Sequence, residues 1–186
     1  MAVALEPVAV EQSLATTTAD TDWVAAARRG DRDGFTRLYQ RYAPVVHGAL
    51  IARVPPHDAR DLVQDVFVIA MRRIDDLREA ESVGGWLLAI ARARAADYWR
   101  AVKPRGALPE AAASDPPRAE VAQVLAALRE VPDAYREVLA MRLVEGLTGP
   151  EIAERTGLTP GSVRVNLHRG LKLLREKLGW EGSSDE

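Results

Sequence analysis

The chain has 186 residues, 47% of them hydrophobic, and 25 Lys+Arg stand against 27 Asp+Glu for a net charge of −2. That length fits one or two small domains with a real core, and the near balance of charge means that any nucleic-acid footprint must come from local segregation. Cysteine is absent, which excludes a disulfide framework, thiolate zinc sites, iron–sulfur clusters and thiol catalysis.

Residues 1–20 are rich in Ala, Val, Thr and acid without one basic residue, and read as a disordered tail. Glu6 and Glu11 interrupt this stretch, so it is no secretory signal. A helical pattern begins at Asp22 and breaks at Gly30-Asp31-Arg32-Asp33, where an N-cap starts the next helix near Asp33. Phe35, Leu38, Tyr39 and Tyr42 follow at helical spacing, and Pro44 kinks that helix or begins a new turn. Pro55-Pro56 ends it, and Asp58 is expected to cap the helix that follows, running to about Asp75.

In that helix Leu62, Val63, Val66, Phe67, Ile69, Ala70 and Ile74 form an apolar stripe. The opposite side collects Asp58, Asp61, Asp65 and Arg72, with Gln64 on its flank. Such an acidic face is either solvated or receives a basic partner surface. A loop follows over Asp76–Gly85, and Trp86 opens a helix reaching about Ala101. From Trp86 to Arg105 the charge is locally +4: Arg92, Arg94, Arg100, Lys103 and Arg105 against Asp97. Arg92, Ala96, Trp99 and Lys103 share one face. Cations beside an aromatic suit melted nucleic acid, where charge neutralises phosphates and the ring stacks on a base; a solvated amphipathic helix is the plain alternative. Arg94 falls among core-facing residues and is expected to snorkel or to pair with Asp97 at i+3.

Residues 104–118 hold Pro104, Pro109, Pro116 and Pro117 with an Ala run, and read as a linker. A second helical block covers 119–178, before an acidic tail over 179–186. Leu147 to Arg164 fits a helix-turn-helix. Thr148 caps the first helix with Glu151 at the capping-box position and Pro150 in the first turn. Gly157 supplies the turn, Leu158 plugs the core, and Thr159 caps the second helix. That helix sets Val163, Leu167, Leu171, Leu174 and Leu178 on one side and Arg164, Val165, His168, Arg169, Lys172 and Arg175 on the other. A second helix with one basic face suits a DNA major groove.

Alternating β-branched runs are missing, so the fold class is all-α: two small helical domains joined by a flexible linker. His47, His57 and His168 show no metal-binding spacing, and no GxGxxG, Walker or GxSxG motif occurs. No metal, cofactor or catalytic set is expected. No run approaches the ~18 apolar residues of a membrane helix, so the expectation is a cytoplasmic protein without membrane insertion.

These residues, in this order, resemble the extracytoplasmic-function (ECF) class of bacterial RNA polymerase sigma factors over about Asp22 to Leu178. Asp61-Leu62-Val63-Gln64-Asp65-Val66-Phe67 is similar to the family's region 2.2 motif. Trp86-Leu87 through Ile90-Ala91-Arg92 to Asp97 and Arg100 is similar to regions 2.3–2.4. Leu128 to Glu145 looks like region 4.1, and the helix-turn-helix looks like region 4.2.

The resemblance implies region 2 over 21–103 and region 4 over 119–178. It implies that Asp61, Gln64 and Asp65 dock on the clamp helices of the polymerase beta-prime subunit. It further implies that the Asp76–Gly85 loop captures a flipped −10 base, and that Arg92, Trp99, Arg100, Lys103 and Arg105 hold the melted strand. Arg142, Ser162, Arg164, Asn166, His168, Arg169 and Lys172 would contact the −35 element. The partners would be RNA polymerase core, promoter DNA and an anti-sigma factor, with no catalysis of the chain's own. Ala93, Gly84-Gly85, Val165 and Asn166 depart from the family's usual residues, which bears on promoter sequence rather than class. The alternatives are a stand-alone helix-turn-helix regulator and an all-α enzyme or adaptor.

Overall fold

A computed structural model describes the backbone of residues 8–102 and 116–180, and the side chains of 18–102 and 120–180. Eight α-helices and two short 3-10 turns make up these residues, and no strand occurs among them. The order is α1 (Val8–Arg28), α2 (Arg32–Ile51), α3 (Pro56–Arg72), turns at Ile74–Asp76 and Ala80–Ser82, α4 (Val83–Val102), α5 (Pro116–Glu130), α6 (Asp133–Leu143), α7 (Gly149–Thr156) and α8 (Pro160–Lys177). No helix of the described residues is long and apolar enough to cross a membrane.

Helices α1 to α4 form the first bundle, with α2 at its centre. The Asp31 side chain caps α2 by accepting from the Asp33 N–H at 2.9 Å. Leu38, Tyr42, Val45 and Leu50 of α2 are buried against Val63, Val66 and Phe67 of α3 and Leu87 of α4. Each fully buried aliphatic or aromatic side chain contributes roughly 1.5–3 kcal/mol. Phe67 meets Tyr39 edge-on at 4.7 Å between ring centroids. Helices α5 to α8 form the second bundle around Leu128, Leu139, Ile152, Val163 and Leu174. There α8 crosses α6 at Gly170, where a Cβ would lie 2.8 Å from Leu139.

Several expectations are corrected. The tail expected over 1–20 is helical from Val8, because α1 is anchored near its middle. Asp20 is buried, accepts from the Tyr42 hydroxyl at 2.8 Å and pairs with Arg41 at 3.0 Å. Burial raises its carboxyl above the usual range, against the Tyr42 hydrogen bond and the Arg41 charge. α2 runs as one helix through Pro44. Asp58 is not the cap of α3: Pro55 holds that position without a side-chain bond, and Asp58 accepts from the Tyr98 hydroxyl at 2.6 Å. α4 opens at Val83 rather than Trp86, so Gly84 and Gly85 sit in its first turn. Leu158 does not plug the core but stays exposed in the turn. Most of the expected linker lies outside the described residues, and Pro116 to Arg118 belong to α5.

Candidate nucleic-acid interface

The second bundle builds a helix-turn-helix from local chemistry. Glu151 accepts from the Thr148 N–H at 2.8 Å, and the Thr148 hydroxyl accepts from the Glu151 N–H at 3.4 Å, closing a capping box on α7. The Thr148 N–H bond, then the hydroxyl, hold the Glu151 carboxyl below its usual range. Gly157 ends α7 at φ 76°, a conformation that favours glycine. The Thr159 hydroxyl then caps α8 by accepting from the Ser162 N–H at 3.1 Å.

With Val163 and Leu174 turned inward, α8 presents Ser162, Arg164, His168, Arg169 and Lys172 to solvent, with Asn166 half-buried beside them. No ion pair engages Arg164, Arg169 or Lys172 among the described residues. Arg142 is exposed, and one of its guanidinium N–H groups donates to the Leu147 carbonyl at 3.2 Å, bracing the turn before α7.

On α4 every described cation of the candidate set has a partner. Arg92 is bidentate on Glu137 at 2.9 and 2.7 Å. Arg100 pairs with Asp97. Arg94 makes the expected pair with Asp97 at 3.3 Å and adds a second, not foreseen, with Asp65 on α3 at 2.7 Å. Arg100 first, then Arg94, hold the Asp97 carboxyl below the usual range. Trp99 is 41% exposed, so its ring remains half open for stacking while its indole N–H donates to the Arg53 carbonyl at 3.0 Å. Tyr98 lies edge-on to Trp99 at 5.3 Å, and burial, with the Asp58 hydrogen bond, pushes its phenol up to about 12. Lys103 and Arg105 lie outside the described residues.

Ahead of α4, Asp76, Leu77, Arg78, Glu79, Ser82, Gly85 and Trp86 line a cavity of about 450 Å³. Arg28 of α1 fixes its wall by donating to the Ile74 and Leu77 carbonyls. On α3, Asp61, Gln64 and Asp65 are exposed on one face. That face continues through Val68 and Met71, 42% and 54% exposed, which the sequence reading passed over. Their spacing from Asp61, Gln64 and Asp65 was the available signal. No group of three metal-ligating side chains occurs among the described residues.

Comparison with known proteins matches residues 38–105 to Sigma-70 region 2 and residues 122–174 to Sigma-70, region 4. The RNA polymerase sigma factor CarQ of Myxococcus xanthus is 33% identical over 163 residues, 82% of this chain and 93% of that relative. The chain is an RNA polymerase sigma factor of the ECF class. ECF sigma factor RpoE of Cereibacter sphaeroides is 32% identical to it over 176 residues, 85% of this chain and 96% of that relative. Among solved structures, CnrH in complex with the cytosolic domain of CnrY superposes with a TM-score of 0.60 at 26% identity, covering 88% of this sigma factor and 99% of CnrH. Sigma factors direct RNA polymerase to promoters, and the two bundles carry the family's two promoter-facing regions.

Proposed function

We propose that this sigma factor reads the −35 element with α8 and holds the melted −10 strand with α4. The observation that carries the reading is the α8 face, where exposed Arg164, Arg169 and Lys172 have no ion-pair partner among the described residues. Ser162, Asn166, His168 and Arg142 complete the −35 contact. Arg92, Trp99, Arg100, Lys103 and Arg105 form the −10 contact. The open cavity of about 450 Å³ beside Trp86 supports capture of a flipped base by the segment before α4. Asp61, Gln64 and Asp65, with Val68 and Met71, dock on the beta-prime clamp helices, the apolar pair adding buried area to the charge match. Region 2 spans 21–103, the linker 104–118 and region 4 119–178.

The chain acts in the cytoplasm by binding alone, without catalysis. An anti-sigma factor is its expected antagonist, and a groove of about 1120 Å³ between the bundles, lined by Ile51, Val124, Leu143, Val144 and Trp180, is the surface on offer.

Run-off transcription with bacterial core polymerase, on promoter fragments from the chain's own genome, tests this. Core binding is scored in the same samples. Discrete transcripts that depend on the protein are expected, and aligning their starts gives both elements. No core binding and no transcripts would favour a stand-alone regulator.

A further inference from the structure

The segment from Asp76 to Gly85 has little backbone structure of its own before α4 begins. Two 3-10 turns carry it, and between them Leu77 and Glu79 are extended, with ψ of 113° and 117°. The turns close through the Asp76 N–H on the Arg73 carbonyl at 2.9 Å and the Ser82 N–H on the Glu79 carbonyl at 3.0 Å. A stretch so sparsely bonded keeps its shape through anchors from elsewhere.

Those anchors come from α1. Arg28, in the last turn of α1, spans two carbonyls three residues apart: one N–H donates to Ile74 at 3.4 Å and another to Leu77. Its planar guanidinium presents both donors at fixed angles, which an ammonium cannot do. Seven residues earlier, on the same face of α1, the Thr21 hydroxyl donates to Glu81 at 3.5 Å. Leu77 is therefore held twice, by a side chain only 3% exposed and by its carbonyl. Its two neighbours, Asp76 and Arg78, line the cavity beside Trp86, as does Glu79. Arg78 supplies donors and the two carboxylates supply acceptors, the groups that read a base edge. Arg28 itself stands outside that lining. α1 also precedes residues 38–105, the part matched to region 2.

We propose that Arg28 is a positioning residue for −10 base selection. By pinning the Leu77 carbonyl it sets where Asp76, Arg78 and Glu79 stand, and so which base the cavity accepts, without touching DNA. The role rests on the base-capture reading of this segment. When such a pocket loosens, right and wrong bases find partners alike, so selectivity falls while phosphate contacts elsewhere persist.

The test is transcription by holoenzyme, core polymerase with the full chain, from a promoter the parent uses. Each position of the −10 and −35 elements is varied in turn. At the captured −10 position the parent should disfavour wrong bases by roughly tenfold. Arg28→Ala should bring that ratio toward parity and leave the −35 preferences as in the parent, a split that a merely structural role would not produce. Arg28→Lys keeps the charge without the fork and should lose the preference too. Thermal melts qualify both variants, and where Arg28→Ala is unfolded, Arg28→Lys decides. Full −10 preference in either folded variant overturns the assignment; for Arg28→Lys it would mean that charge alone suffices. Equal weakening at both elements makes Arg28 a general support and overturns it as well. A parent without −10 preference overturns the base-capture reading, and the role of Arg28 with it.

Discussion

Helices α4 and α8 carry similar positive charge in sequence and spend it differently. On α4, Arg92, Arg94 and Arg100 are bound to Glu137, Asp65 and Asp97. On α8, Arg164, Arg169 and Lys172 stand exposed with no such partner among the described residues. The cause is what lies beside each helix. α3 and α6 each turn an acid toward α4, Asp65 and Glu137, and α4 supplies Asp97 itself. The acids of α7 are committed elsewhere: Glu151 to the Thr148 cap and Arg155, and Glu154 to Arg41. A count of basic residues therefore measures the charge a helix owns, whereas its availability to DNA depends on neighbours brought in by folding.

The comparison breaks most completely at α3. Reversing Asp61→Arg with Asp65→Arg should abolish core binding while the fold survives, and it frees Arg94 from its link to α3. Co-purification with core polymerase, beside a thermal melt, checks this; retained binding would remove the docking assignment. On the open helix, Arg164→Ala or Arg169→Ala should weaken promoter binding by ~1–3 kcal/mol where the side chain reads a base. Where it holds phosphate, the loss is smaller and the salt slope drops by about one. Titration at several salt concentrations separates the two.

On the engaged helix, Trp99→Ala should cost ~1–3 kcal/mol in melted-strand affinity of the core-bound sigma factor. Duplex −35 affinity should not change, and an equal loss on both probes would erase the division of labour. The smallest effect concerns pH. Because the folded state lowers the Glu151 carboxyl, its stabilisation is present above pH 4.5 and is lost as pH falls through the folded value. Glu151→Gln should flatten that acid limb in melts taken across the range, whereas a limb unchanged by the substitution would show that the capping box contributes nothing to it.

The helix-turn-helix was legible because its determinants are local. Thr148 and Glu151 are three residues apart, Gly157 needs only its own φ, and Thr159 reaches Ser162 within one turn. The exposed face of α3 was legible in part: the acids stood out against the apolar stripe, but Val68 and Met71 fitted neither template. What stayed hidden depends on distant chain. Glu137 is 45 residues from Arg92, and Asp58 is 40 from Tyr98, so the cap expected of Asp58 lost to a hydroxyl that no local pattern reveals. The start of α4 was misplaced for a related reason. Gly84-Gly85 looks like a loop end in sequence, and only the Arg155 carbonyl against Gly84 explains a glycine inside a helix. The start of α1 was missed because Asp20, which ties it down, bonds to residues of α2.

Arg41 joins the two bundles. It lies between Asp20 of its own bundle, at 3.0 Å, and Glu154 of the other, at 3.1 Å. One guanidinium thus neutralises an acid on each side, so the buried Asp20 is paired through a residue that also reaches the second bundle. Loss of Asp20 would leave Arg41 with Glu154 alone and the Tyr42 hydroxyl without its acceptor, so the first helix reaches, through one arginine, to the far bundle.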